Sequence, residues 1–222
     1  MQKPSACTVY LIRHGETDWN LDGRWQGHSD VPLNAAGRAQ AARLARRLAE
    51  EGVRFDALYS SDLSRAWDTA AVLGGALGLS PAAAPALREI DLGTWAGKTH
   101  ADIALEFPEE WQRIQNNEDL PRGGGETFAA LHARVLEWLN RAAETHTGGR
   151  ICAVTHGGWV RAAVLHALGL TWGERDRVPA IGNGSITILE GAADRWAVAQ
   201  MNNTPRIRTA GAEEEQPEEN EG

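Results

Sequence analysis

Two histidines stand directly after apolar runs. His14 follows Thr8 to Ile12, with Arg13 before it and Gly15 after it. His156 follows Ile151 to Thr155 and precedes Gly157 and Gly158. Each run reads as a short buried strand. Open α/β sheets place ligand sites at the carboxyl ends of their strands, so both imidazoles arrive where a ligand would sit. The cation of Arg13 and the glycine after each histidine, which lets a ligand approach the backbone, equip such a place for an anion. A helix start after His156 adds unpaired N–H groups that favour the same charge.

Two further groups fit that chemistry. Arg65 lies in Ser60-Ser61-Asp62-Leu63-Ser64-Arg65-Ala66, in the first turn of a helix that follows a short strand. A cation there opposes the helix dipole. A phosphate would offset that cost, and a guanidinium binds one by a two-pronged hydrogen bond. Pairing with Asp62 or Asp68 is the plainer use of the same residue. Leu87-Arg88-Glu89-Ile90-Asp91 supplies two candidate acid/base carboxyls. Glu89 is nearer the expected strand end and is the better candidate.

The elements that must position these residues can be read from periodicity and punctuation. A polar loop spans 15–33, and Asn34 is expected to cap a helix from Ala35 to about Glu51. A strand is expected over Phe55 to Ser60. Ser61-Asp62 should cap a helix from Leu63 to Leu77 that stops at Gly78. Pro81 to Pro85 reads as a spacer and Ala86 to Ile90 as a third short strand. Helices are expected over Thr99 to Phe107, Glu109 to Ile114, Glu126 to Thr145 and Trp159 to Leu168. Ser185 to Leu189 and Trp196 to Met201 pair as a final hairpin. Strands alternating with helices indicate a parallel-rich sheet covered on both faces.

Composition bounds the function classes. The chain has 222 residues, 42% hydrophobic and 23% charged, which suits a globular α/β domain. Residues 1–210 are read as one domain. The formal net charge is −8; six glutamates within 211–222 leave −2 for the rest. That tail is expected to be disordered. No apolar run reaches the length of a membrane span, and Met1 to Ala6 lacks a signal-peptide core, so a cytoplasmic location is expected. No basic patch accompanies a nucleic-acid-binding motif. Cys7 and Cys152 sit inside apolar strands and read as buried free thiols. The expected partner is a small molecule, with neither nucleic acid nor membrane; oligomeric state is left open, a homodimer included.

Arg13-His14-Gly15-Glu16-Thr17, the Ser-x-Leu-x-Arg-Ala stretch around Arg65, Leu87-Arg88-Glu89-Ile90 and Thr155-His156-Gly157-Gly158 together resemble the histidine phosphatase superfamily, also called phosphoglycerate mutase-like. The resemblance runs in order from about Val9 to Leu168. It implies a three-layer α/β/α sandwich with a mostly parallel central sheet, and catalysis through a phosphohistidine at His14. Arg13, Arg65 and a protonated His156 would then surround the phosphoryl oxygens. Glu89 would protonate the leaving alcohol and later activate water. By position in the family pattern, Asn20, Gln26 and Gly27 belong to the phosphate-side loop, and Gly157 joins them as a substrate-binding candidate. No cofactor is called for, since the histidines have no carboxylate or cysteine at metal-ligand spacing.

Within the superfamily the chain is more similar to broad-specificity phosphatases, through Leu92 to Thr99 and Gly125-Glu126-Thr127. A cofactor-dependent phosphoglycerate mutase is the alternative. Such mutases carry a longer insertion between the acid and the second histidine, and a tyrosine where this chain has Leu92. A catalytically silent phospho-ligand-binding protein is the third reading. Trp19, Trp25, Trp95 and Trp159 fall near the expected site loops and could wall an apolar pocket, or serve in ordinary packing. His28, His100, His132, His146 and His166 read as structural or exposed.

Overall fold

The apolar runs that carry the two histidines become adjacent parallel strands. In the computed structural model, which describes residues 6–193 and 195–204, the chain begins with β1 (Cys7–Arg13), α1 (Asp18–Leu21), α2 (Ala35–Glu50), β2 (Ala57–Ser60), α3 (Ser64–Leu77) and β3 (Ala82–Ala83). It continues through α4 (His100–Glu106), α5 (Pro108–Gln115), α6 (Phe128–Thr145), β4 (Arg150–Thr155), α7 (Gly157–Ala167), β5 (Ile186–Ala192) and β6 (Arg195–Asn203). The acidic segment 211–222 lies outside the described residues. No helix among the described residues is long and apolar enough to cross a membrane.

One six-stranded sheet has the order β3-β2-β4-β1-β5-β6. Strands β3, β2, β4 and β1 run parallel; β5 is antiparallel to β1, and β6 to β5. Alternate residues feed two cores. Val9, Leu11, Ile151 and Ala153 face α6 and α7, while Ile12, Cys152 and Val154 face α2 and α3. This is the expected α/β/α sandwich, and burial on both faces explains why these strands read as continuous apolar runs. The free thiols of Cys7 and Cys152 are buried in these two layers. The helix after β1 crosses to one face and the helix after β4 to the other. The crevice between the carboxyl ends of β1 and β4 is therefore a topological switch point.

Several sequence expectations are corrected. The third strand is not at Ala86 to Ile90 but at Ala82–Ala83, inside the predicted spacer; Pro85–Leu87 is instead a 3₁₀ turn. Pro85 has no N–H to extend a ladder. The carbonyls after it are taken by side chains: Ala86 by Trp159 Nε1, Leu87 by Thr155 Oγ1, and Arg88 by Arg134. Helix α3 is not capped by Ser61 or Asp62. Its N-cap is Leu63, and the Ser64 N–H donates to Asp30 Oδ1 at 2.7 Å. Asp62 is instead held by a bidentate Arg88. Loop 15–33 contains a short helix, α1, closed by a capping box between Thr17 and Asn20. Asn34 and Gly78 end their helices as expected.

A third, smaller cluster of Leu92, Trp95, Ile103 and Ile114 gathers α4 and α5 beside the switch point, with Trp25, Phe107 and Trp111 packed on it. Trp95 is thus core rather than pocket wall, and so is Trp159, which is buried between α6 and the sheet.

Backbone meets backbone where the loop after β1 crosses α2. A Cβ on Gly15 would lie 2.4 Å from the Gly37 carbonyl oxygen, and one on Gly37 would lie 2.1 Å from that of Glu16. Helix propensity alone would make Gly37→Ala stabilising by about 1 kcal/mol. The overlap reverses the sign, and overpacking costs about 1–3 kcal/mol. Urea unfolding is expected to show a less stable Gly37→Ala variant; a more stable one would contradict the close approach.

Candidate active site

His14 leaves β1 with its N–H on the Thr155 carbonyl at 3.0 Å, so the ladder between the two strands continues into the site. The residue is 3% exposed. Nδ1 lies 2.6 Å from the Gly15 carbonyl oxygen. A carbonyl only accepts, so Nδ1 carries the proton and the Nε2 lone pair is left free. Burial, then the charges of Arg65 and Arg13, hold the imidazole pKa well below the ordinary histidine value. The ring is therefore neutral near pH 7. Gly15 is itself fixed: its N–H donates to Thr69 Oγ1, and its carbonyl also accepts from Asn183 Nδ2.

The two arginines are held by backbone oxygen. Arg65 is fully buried and donates from Nη1 to Ser29 O at 2.7 Å and from Nη2 to Gly27 O at 2.8 Å. Burial pushes its pKa down to about 10, which leaves it charged. The alternative use of Arg65, pairing with Asp62 or Asp68, is not among its hydrogen bonds. Arg13 donates from Nη1 to Ile181 O, and its Nε lies 3.4 Å from where a Cβ on Gly157 would stand. The guanidinium thus lies in van der Waals range of the Gly157 backbone. Neither Arg13 Nε nor Arg65 Nε has a hydrogen-bond partner among the described residues.

His156 is completely buried, and its ring centroid is 5.1 Å from that of His14. Its Nε2 lies 2.9 Å from Ser61 Oγ. Ser61 Oγ already accepts the Leu63 N–H, so its own proton can go to Nε2. Nδ1 then bears a hydrogen and is a third unpartnered donor. The expected protonated form is not what these surroundings favour. Burial first, then Arg65, His14 and Arg13, push the His156 pKa well below the ordinary value.

Glu89 follows a turn rather than a strand. Its Oε2 accepts the Gly158 N–H at 2.9 Å and its Oε1 the Ile90 N–H at 3.0 Å. A Cβ on Gly158 would lie 2.4 Å from Glu89 Oε1, so this carboxylate needs glycine beneath it. The Glu89 carbonyl accepts from His28 Nε2 and Arg134 Nη2. Arg134 in turn is bidentate on Glu126. Asp91 faces elsewhere, accepting the Gly93 N–H.

Arg13, His14, Arg65, Glu89, Asn20, Gln26, Gly27 and Gly157 line one cavity of about 390 Å³; His156 is not among its lining residues, and its ring stands beside that of His14. Gln26 donates to Thr17 Oγ1 at 2.8 Å, and Asn20 Oδ1 accepts from Asn183 at 3.1 Å. Of the four tryptophans near the site loops, Trp19 and Trp25 border the cavity, while Trp95 and Trp159 do not. Sequence reading missed Arg122, Arg161 and Trp172, which also line it. Arg122 and Trp172 come from segments without a strand-end signal, while Arg161 lies on α7, one turn beyond the second histidine. A neutral imidazole with a free lone pair beside fixed cationic donors can attack a phosphorus centre and stabilise the charge on its oxygens.

A model of the histidine phosphatase superfamily (branch 1) matches residues 9–204. Phosphoglycerate mutase-like protein 4 of Arabidopsis thaliana is 35% identical over 208 residues, covering 91% of this chain and 88% of its own. The metal-independent phosphoserine phosphatase of Arabidopsis thaliana is 33% identical over 207 residues, covering 91% and 84%. The solved structure of mycobacterial glucosyl-3-phosphoglycerate phosphatase with VO3 is 34% identical with a TM-score of 0.78, covering 89% of this chain and 99% of that one.

The depressed imidazole values set a pH dependence. Below the ordinary histidine value of 6.5, the unfolded chain binds protons that the folded sites refuse. Stability carried by neutral His14 and His156 is therefore fully present above about pH 6.5 and is lost as pH falls. The expected outcome is a lower urea midpoint at pH 5.5 than at pH 7.5, with both rings still neutral at pH 5.5 by ¹⁵N NMR. Two rings titrating near 6.5 would contradict it.

Proposed function

This chain belongs to the histidine phosphatase superfamily, and we propose that it hydrolyses phosphate monoesters of small metabolites in the cytoplasm through a phosphohistidine at His14. The observation that carries the residue assignment is the state of His14: buried, neutral, and with its one ring proton committed to the Gly15 carbonyl.

In the first step Nε2 attacks phosphorus, the P–N bond forms and the ester P–O bond breaks. Glu89, entering protonated, gives its proton to the departing alkoxide, so an alcohol leaves. Arg13, Arg65 and His156 Nδ1–H donate to the three peripheral oxygens, where charge is spread in the transition state. Their positions are supported by the carbonyls that hold the two guanidinium groups and by Ser61 on His156. In the second step Glu89, now a carboxylate, takes a proton from water. The water oxygen attacks phosphorus, the P–N bond breaks and inorganic phosphate leaves. Neutral His14 and protonated Glu89 are restored. Asn20, Gln26, Gly27 and Gly157 shape the wall on the phosphate side.

His14→Ala is expected to lower kcat by about 10⁴-fold or more, as loss of a nucleophile does. Brief reaction with a ³²P-labelled monoester should label the wild-type chain with an acid-labile, base-stable bond. Label that survives His14→Ala would overturn the nucleophile. Phosphate release should persist in EDTA, and with 3-phosphoglycerate the product should be free phosphate. Formation of an isomer would favour the mutase.

A further inference from the structure

The proposed chemistry leaves one buried cation unused. Arg122 is 2% exposed and lines the same cavity as His14. Neither of its terminal nitrogens has a hydrogen-bond partner among the described residues. Its neighbouring carboxylate, Asp119, stands 3.8 Å from Nη1. That is an ion pair without hydrogen-bond distance, and Asp119 is divided between this cation and the start of α6. Its two oxygens accept the Phe128 and Ala129 N–H groups at 2.7 and 2.8 Å, at the start of α6. Trp172 lies against the guanidinium, 4.9 Å from its ring centre, and Arg175 reaches the same ring at 4.8 Å.

The position of Arg122 is built by close backbone contact. A Cβ on Gly93 would lie 2.1 Å from Gly123 O, and a Cβ on Gly125 would lie 2.5 Å from Asp91 O. Residues 122–125 are thereby pressed onto the segment that follows Glu89. A buried, incompletely paired charge is costly, and here the fold holds it beside the cavity. The cavity is lined by Arg13, Arg24, Arg65, Arg122 and Arg161, with Glu89 as a lining carboxylate; Asp22 pairs with Arg24 at 3.6 Å.

We propose that Arg122 is a specificity residue that binds a second oxyanion on the substrate, a carboxylate or a second phosphate, while Phe128, Leu131 and Trp172 flank the carbon skeleton. The preferred substrates are then small monoesters with another anionic group a few bonds from the ester. This rests on the phosphatase reading above.

The test compares matched pairs by kcat/KM. 3-Phosphoglycerate against glycerol 3-phosphate exchanges a carboxylate for a hydroxymethyl group; fructose 1,6-bisphosphate against fructose 6-phosphate adds a phosphate. The wild-type chain should prefer the anionic member of at least one pair, and that pair identifies the group. Arg122→Gln should reduce that preference about 10- to 100-fold, the range of a charged hydrogen bond, mainly through KM. Arg122→Lys, which keeps the charge without the fork, should fall between. A wild-type chain with no preference in either pair overturns the proposal, as does a preference that Arg122→Gln leaves intact. If Arg122→Gln does not fold, the wild-type ratios and Arg122→Lys decide. A wild-type chain that hydrolyses p-nitrophenyl phosphate without anion preference fails this proposal alone. One that hydrolyses no monoester fails the phosphatase reading and this proposal with it.

Discussion

The hydrogen bond from His14 Nδ1 to the Gly15 carbonyl is the constraint on which the site depends. It decides which ring nitrogen holds the proton and so which one is free. It requires the chain after β1 to turn back on itself with its carbonyl aimed at its own neighbour. That turn is kept by Thr69 on the Gly15 N–H, by Asn183 on the carbonyl, and by the glycine-on-glycine crossing with α2. The Gly15 carbonyl and the ring are both shielded from water, so the bond is not exchanged for a bond to solvent.

The same burial creates the electrostatic problem that the site is built around. Arg13 and Arg65 are placed beside two histidines with few carboxylates to balance them. Both imidazoles respond by staying neutral, and burial outweighs neighbouring charge as the cause. The arginines cannot respond that way, since a guanidinium keeps its proton. They are instead held by neutral carbonyls, which fix direction without cancelling charge. The result is a set of rigid donors whose positive field is available to an incoming anion. Electrostatic preorganisation of this kind needs little rearrangement during reaction.

Glu89 shows a different way of fixing a group. It stands on a turn without strand partners, yet successive carbonyls from Ala86 to Glu89 are all taken by side chains from α6, α7, β4 and the loop carrying His28. Arg134 alone reaches three of them while paired with Glu126. Periodicity reads this segment as a strand because its residues suit one. Only the surrounding donors show why no ladder forms.

Strand ends were legible because an apolar run followed by Arg-His-Gly or His-Gly-Gly is a local signal. So were the caps at Asn34 and Gly78, where one residue's chemistry ends a helix. The sandwich followed from alternation, and the four ordered motifs carried the family. Tertiary structure decided what depends on partners distant in the chain. Arg65 turns to Gly27 and Ser29 rather than to a nearby aspartate, and His156 is held neutral by burial and by cations from α3 and β1. Trp95 and Trp159 enter cores while Trp172 reaches the cavity, and Arg122 is brought there by glycines that meet Gly93 and Asp91. Residue type and spacing record what a side chain can do; burial and long-range contacts set its charge, its direction and its neighbours.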